Sequence, residues 1–140
     1  MAISKASAYW NGSLKEGSGS MKPAHAPEIA FSLPTRFEGA NGSNPEELIG
    51  AALCGCFSMA LAAALARAGL TPQRIQTEAQ VSLNREGDHF RITTIELTTN
   101  ASVPGAEHTQ FEAIAEETKR SCPVSQALAG TAITLKAILA

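Results

Sequence analysis

The sequence predicts an α+β fold in a single domain spanning residues 1–140. Three observations carry that expectation. From Leu48 to Ala66 the chain holds no charged residue and is bracketed by helix start and stop signals. From Ile75 to Asn84 apolar and polar residues alternate strictly. Between Glu107 and Arg120 apolar residues instead recur every three or four positions. A period of two marks a half-buried strand and a period near 3.6 an amphipathic helix, so strands and helices occupy separate stretches of one chain.

The elements follow in order. Tyr9 and Trp10 precede a turn rich in Gly and Ser at Gly12 to Ser20, and Ile29, Phe31 and Leu33 then alternate with small or polar residues. This predicts an N-terminal set of short antiparallel strands. A loop from Pro34 to Ser43 carries Arg36, Phe37 and Glu38. Asn44 then suits a helix N-cap, Pro45 the first helical position, and Glu46 and Glu47 the first turn, where the helix dipole favours acids. The helix is expected to run to about Ala68, with Gly69 as its C-cap and Pro72 barring continuation.

The alternating strand follows, then a turn at Arg85 to Asp88 and a partner strand from His89 to Asn100. In that partner Phe90 and Ile92 are out of phase with Ile95 and Leu97, which predicts a bulge near Thr93 and Thr94. Phe111, Ile114, Ala115 and Thr118 define the second helix, a short helix starts at Pro123, and Ile133, Leu135, Ala137 and Leu139 mark a closing strand.

Composition narrows the function. A formal net charge of -2 with no cluster of Lys and Arg leaves no footprint for phosphate backbones or anionic membranes, so neither nucleic acid nor a membrane is an expected partner. The stretch from Leu48 to Ala66 approaches the length of a membrane span, but it is mostly Ala, Gly, Ser and Cys, which suits a helix closely surrounded by protein. The first residues mix charged and short apolar side chains without the apolar run of a secretory signal, so a cytoplasmic location is expected. In that reducing compartment three cysteines, Cys54, Cys56 and Cys122, are either packing residues or transiently reactive thiols.

Cys54 and Cys56 stand two apart on the long helix, so at about 100° per residue they face nearly opposite sides and do not share one task. The neighbours on the face of Cys56 are Ala52, Leu53, Met59, Ala60 and Ala63, all apolar. Such surroundings raise a thiol's pKa unless a cation compensates, and Arg36 is the candidate. Cys122, directly before Pro123, falls at a helix N-cap, where backbone N–H groups stabilise a thiolate. Local physics thus leaves open which cysteine attacks, and Cys122 also reads simply as a cap. The histidines His25, His89 and His108 share no spacing that would make a metal site or a catalytic base, and are assigned to the surface.

Four segments occur in a telling order: Thr35-Arg36-Phe37-Glu38-Gly39, Asn44 through Ala52, Cys56-Phe57-Ser58-Met59-Ala60-Leu61, and Ser121-Cys122-Pro123-Val124-Ser125. Together they resemble the osmotically inducible branch of the OsmC/Ohr peroxidase family, over nearly the whole chain from Trp10 to Ile133-Thr134-Leu135. The resemblance implies an intertwined homodimer whose antiparallel sheets wrap two long central helices. It implies a thiol-dependent peroxidase that reduces organic hydroperoxides without metal, flavin or other cofactor, and a small or lipoyl-type dithiol as reductant. It makes Cys56 the peroxidatic thiol, Cys122 the resolving thiol, Arg36 the cation beside the thiolate and Glu46 the acid that orients it. Cys54 departs from the family pattern and is expected to be a bystander.

Glu46 precedes Cys56 by about ten residues, roughly 15 Å along a continuous helix. Either Arg36 bridges that distance, or the helix kinks near Gly50 or Gly55, or Glu46 acts across a dimer. Phe37, Phe57 and Met59 are expected to line the site and favour alkyl substrates over hydrogen peroxide. The rival from another class is a non-enzymatic protein on the same scaffold that holds a small ligand, with the cysteines as packing.

Overall fold

The computed structural model describes all 140 residues, Met1–Ala140. In chain order they form β1 (Ala6–Asn11), β2 (Ser18–Pro23), β3 (Ile29–Phe31), α1 (Leu33–Phe37), α2 (Pro45–Arg67), β4 (Arg74–Glu86), β5 (His89–Ser102), α3 (His108–Ser121), α4 (Pro123–Ala127) and β6 (Ala132–Leu139). The α+β class is as the sequence predicts. The chain divides into two compact units, Met1–Leu48 and Ile49–Ala140.

In the first unit β1, β2 and β3 form an antiparallel sheet in sequential order. The Gly and Ser stretch read as one turn splits in two: residues 12–17 turn, and Ser18 already pairs with Asn11. Gly19 explains why strand residues there look like a turn. A Cβ at that position would meet the Tyr9 carbonyl oxygen at 2.2 Å, so only glycine lets β1 approach. Trp10 meets Phe31 with ring centroids 5.4 Å apart and donates its indole N–H to the Gly12 carbonyl at 3.0 Å.

The predicted loop from Pro34 to Ser43 opens instead with α1. Five residues are too few to show a periodicity, but the helix carries a reciprocal cap. The Thr35 N–H donates to Ser32 Oγ at 3.4 Å, and the Ser32 N–H donates to Thr35 Oγ1 at 2.9 Å. The start of α2 is capped as expected, with the Glu47 N–H donating to Asn44 Oδ1 at 2.8 Å.

The second unit holds the main core. Along α2, Leu53, Phe57, Leu61 and Leu65 recur every fourth residue and are fully buried. They share a core with Ile95 and Leu97 of β5 and with Phe111 and Ala115 of α3. A hydroxyl chain ties the helix to the sheet: Ser58 Oγ meets Thr77 Oγ1 at 2.8 Å, and Thr77 meets Thr99 Oγ1 at 3.0 Å. Gly69, at φ +77°, ends the helix in the left-handed conformation that glycine adopts without strain. Helix α2 is long and apolar enough to cross a bilayer, yet its buried stripe makes it the core helix of this unit.

Strands β4 and β5 pair antiparallel, and the expected bulge is present: Ser82 faces Thr94 and Leu83 faces Ile92, leaving Thr93 as the extra residue. One detail differs from the all-antiparallel expectation, because β6 runs parallel to β5, with Ile95 opposite Ile133 and Leu97 opposite Leu135. Helices α3 and α4 fill the connection between them, and a helical crossover is what a parallel neighbour requires.

Because Leu61 is fully buried in this core, Leu61→Ala should destabilise the fold by about 2–5 kcal/mol. The urea unfolding midpoint measures it, and a change under about 0.5 kcal/mol, typical of surface positions, would contradict the packing described.

Candidate active site

Two thiols distant in sequence meet in the second unit. Helix α3 ends at Ser121 and α4 begins at Pro123, so Cys122 is at once the C-cap of one helix and the N-cap of the next. Pro123 enforces the break, since it has no N–H to continue α3 and its fixed φ suits a first helical position. The Cys122 N–H still donates to the Thr118 carbonyl at 3.0 Å, while its extended backbone, at φ -64° and ψ 140°, turns the chain. The side chain is buried, and its Sγ accepts the Ser125 N–H at 3.4 Å and lies 3.0 Å from Ser125 Oγ.

Cys56 approaches from α2. The Val124 N–H and the Cys122 side chain lie close enough to act on its thiol in opposite directions. The start of α4 thus borders both sulfurs: the Ser125 N–H donates to Cys122, and the Val124 N–H favours the thiolate of Cys56. Both cysteines are reduced. Burial is the main influence on Cys56 and pushes its thiol above the ordinary value; the Val124 N–H acts in the opposite direction, and the hydrogen bond and charge of Cys122 push it up again.

Cys54 is held apart from this pair. It is half-buried, packs on the core, and is pushed up by burial and then by the carboxylate of Glu78. The surroundings of Cys56 depart from the reading of its helical face. Leu53 is fully buried and Ala60 half-buried, whereas Ala52, Met59 and Ala63 are exposed. Phe57, expected to line the site, is fully buried in the core, because it follows Leu53 by one helical turn and shares its inward stripe.

In the first unit Arg36 and Glu46 form a fork. Arg36 Nε donates to Glu46 Oε1 and Oε2 at 3.1 Å each, and Nη2 forms a close ion pair with Oε1. Glu46 is only 8% exposed, so α1 supplies a partly exposed cation to a nearly buried acid in the first turn of α2. Asn44 Nδ2, donating to the Thr35 carbonyl at 3.3 Å, fastens α1 to that turn. The guanidinium also sits 5.8 Å from the Phe37 ring centroid. Beside it lies a mainly apolar cavity of about 250 Å³, lined by Trp10, Leu14, Phe31, Leu33, Pro45 and Arg36. The three histidines are exposed, as expected.

Val124 and Ser125 are the partners that sequence reasoning missed. The signal for Ser125 is its spacing, since the third residue after an N-cap presents its N–H back to the cap side chain.

Two of the influences that raise Cys56 come from Cys122. The reactive thiolate grows as pH rises through the thiol's midpoint, so removing Cys122 should lower that midpoint and speed reaction at neutral pH. Iodoacetamide labelling of Cys56 against pH, read by mass spectrometry, should therefore shift to lower pH in Cys122→Ala. An unchanged or more alkaline profile would break the coupling described.

Comparison with known proteins gives three results. Residues 38–137 match the family model described as OsmC-like protein. The chain is 44% identical over 126 residues to "Peroxiredoxin OsmC" of Escherichia coli (strain K12), covering 89% of this chain and 88% of that protein. Among solved structures, an OsmC like protein from Mycoplasma pneumoniae superposes with a TM-score of 0.78 at 16% identity, covering 99% of this chain and 97% of that one. An organic hydroperoxide resistance protein from Elizabethkingia anophelis gives a TM-score of 0.75 at 23% identity, with 99% of each chain covered. These structural likenesses establish the fold.

Proposed function

The chain belongs to the OsmC-like protein family, and from that premise we propose that it is a soluble, cytoplasmic cysteine peroxidase that reduces organic hydroperoxides to alcohols in stress defence. The observation that carries this reading is the nearness of Cys56 and Cys122 beside the start of α4, where the Cys122 sulfur accepts the Ser125 N–H and acts on the Cys56 thiol.

Cys56 is the attacking thiol. As thiolate it takes the outer oxygen of the hydroperoxide, the O–O bond breaks, and the alkoxide leaves with a proton as the alcohol. The sulfenic acid formed at Cys56 is then attacked by Cys122, releasing water and closing a disulfide, which prevents progress to sulfinic acid. A dithiol returns both cysteines to the reduced state, and a small lipoyl-type dithiol is the proposed donor.

Burial and Cys122 both oppose the thiolate, so the mechanism needs a compensating cation. Arg36 is that cation in our reading, and Glu46 is the acid that orients it, a role supported by the fork between them. Phe37 and the apolar cavity at Arg36 support a preference for organic substrates over hydrogen peroxide. The same cavity favours the alternative of a small-ligand binding protein without catalysis. An equimolar organic hydroperoxide decides between them, because the binding protein would lose no free thiol.

The chain acts as a single domain over residues 1–140, in a homodimer. Ala51, Ala52, Gly55, Met59, Ala63 and Ala66 leave an uncharged, exposed stripe along α2, with Met59 77% exposed, and a second copy of the helix would cover it. Light scattering should give a dimer that Met59→Glu dissociates; a stable, active parent monomer would contradict this.

Variants separate the side chains. Cys56→Ser should abolish peroxide consumption even in one turnover. Cys122→Ser should consume about one equivalent and then overoxidise at Cys56. Arg36→Ala should lose more than tenfold in rate while staying folded, since charge stabilisation is lost from sulfur and leaving oxygen together, and Cys54→Ser should match the parent. A single-turnover burst that survives in Cys56→Ser but vanishes in Cys122→Ser would reverse the two roles.

A further inference from the structure

Ser125 is buried, and its hydroxyl hydrogen-bonds the Cys122 sulfur at 3.0 Å and no other group. Any residue but proline at this position would supply the backbone N–H that the same sulfur accepts. The hydroxyl is therefore the part of Ser125 that its side chain adds, and it is spent on a sulfur, a weak hydrogen-bonding partner when neutral. The contact gains strength only when that sulfur carries negative charge, because a hydrogen bond to an ionised acceptor is about twice as strong as a neutral one. The Ser125 hydroxyl and N–H together hold the Cys122 sulfur, which lies near enough to Cys56 to act on its thiol.

We propose that Ser125 is a positioning residue for closure of the disulfide, its hydroxyl holding the Cys122 sulfur in the attacking orientation toward oxidised Cys56. In the resting pair the Cys122 S–H can donate to Ser125 Oγ. As the thiol proton leaves, the hydroxyl turns and donates to the sulfur instead. A sulfur electron pair of Cys122 then forms the S–S bond, the S–O bond of the Cys56 sulfenic acid breaks, and the oxygen departs as water with its own hydrogen and the thiol proton. No outside oxidant enters this step beyond the hydroperoxide already consumed.

The proposal rests on the peroxidase reading, and the test keeps the two apart. The parent, Ser125→Ala, Ser125→Gly and Ser125→Thr are each mixed with one equivalent of cumene hydroperoxide, following peroxide loss and, by quenched mass spectrometry, the Cys56 to Cys122 disulfide. Peroxide loss should stay within about twofold of the parent in all variants. Disulfide formation should slow about tenfold in Ser125→Ala and Ser125→Gly, the order expected for losing a hydrogen bond to a charged group, and recover in Ser125→Thr. With excess peroxide, the two slow variants should accumulate sulfinic acid at Cys56. Parent-like disulfide formation in either variant lacking the hydroxyl overturns the proposal while leaving the peroxidase intact. So does equal slowing of both steps without rescue by Thr, which marks a merely structural role. A parent that never forms the disulfide overturns the peroxidase reading itself.

Discussion

The approach of Cys56 to Cys122 is the constraint around which the second unit is arranged. It joins a side chain in the middle of α2 to one at the junction of α3 and α4. That junction exists because Pro123 cannot continue a helix yet starts one well. An α3 that ran on through residue 123 would carry Cys122 as an ordinary helical side chain, without the Ser125 donors and without Val124 near Cys56. One proline thus determines where two sulfurs meet and which backbone groups face them.

Helix α2 supplies the other half of the arrangement, and its two faces do different work. The inward stripe from Leu53 to Leu65 locks the helix against the sheet, reinforced by the Ser58, Thr77 and Thr99 hydroxyls. A buried polar chain of this kind fixes one rotational setting, since a small turn of the helix would strand its hydroxyls without partners. The setting of Cys56 is inherited from that lock. Cys54, two residues earlier, packs on the core and feels the carboxylate of Glu78 instead, and about 200° of helical rotation separates the two thiols.

Most of the elements were legible because periodicity and caps are local. The Asn44, Pro45 and Gly69 signals bracketed α2, and the phase break between Ile92 and Ile95 located the bulge at Thr93. The misses share a physical origin. Helix α1 is too short for a period to show, β2 is disguised by glycines that its neighbour's approach requires, and the parallel setting of β6 is a long-range property of the crossover. At the site, the cap position of Cys122 was readable from Pro123, but its contact with Cys56 was not, because spacing in sequence carries no distance. Phe57 was misjudged for the opposite reason: adjacent to Cys56 in sequence, it belongs to another face.

The environment of Cys56 poses an energetic conflict that bears on how such a site works. In the reaction we propose, partial burial of Cys56 shields a sulfenic intermediate but disfavours the charged nucleophile, and the neighbouring Cys122 adds to that penalty. One N–H from Val124 offsets part of it. A cation permanently seated at the sulfur would remove the penalty, but it would also favour thiolate at all times and with it uncontrolled oxidation. Arg36, the cation we propose for that role, is held by Glu46 in a carboxylate fork that fixes the direction of its guanidinium while leaving it partly exposed. The cost of burying Glu46 is then justified by orientation rather than by stability, since a nearly buried ion pair is weak support for a fold and strong support for a geometry.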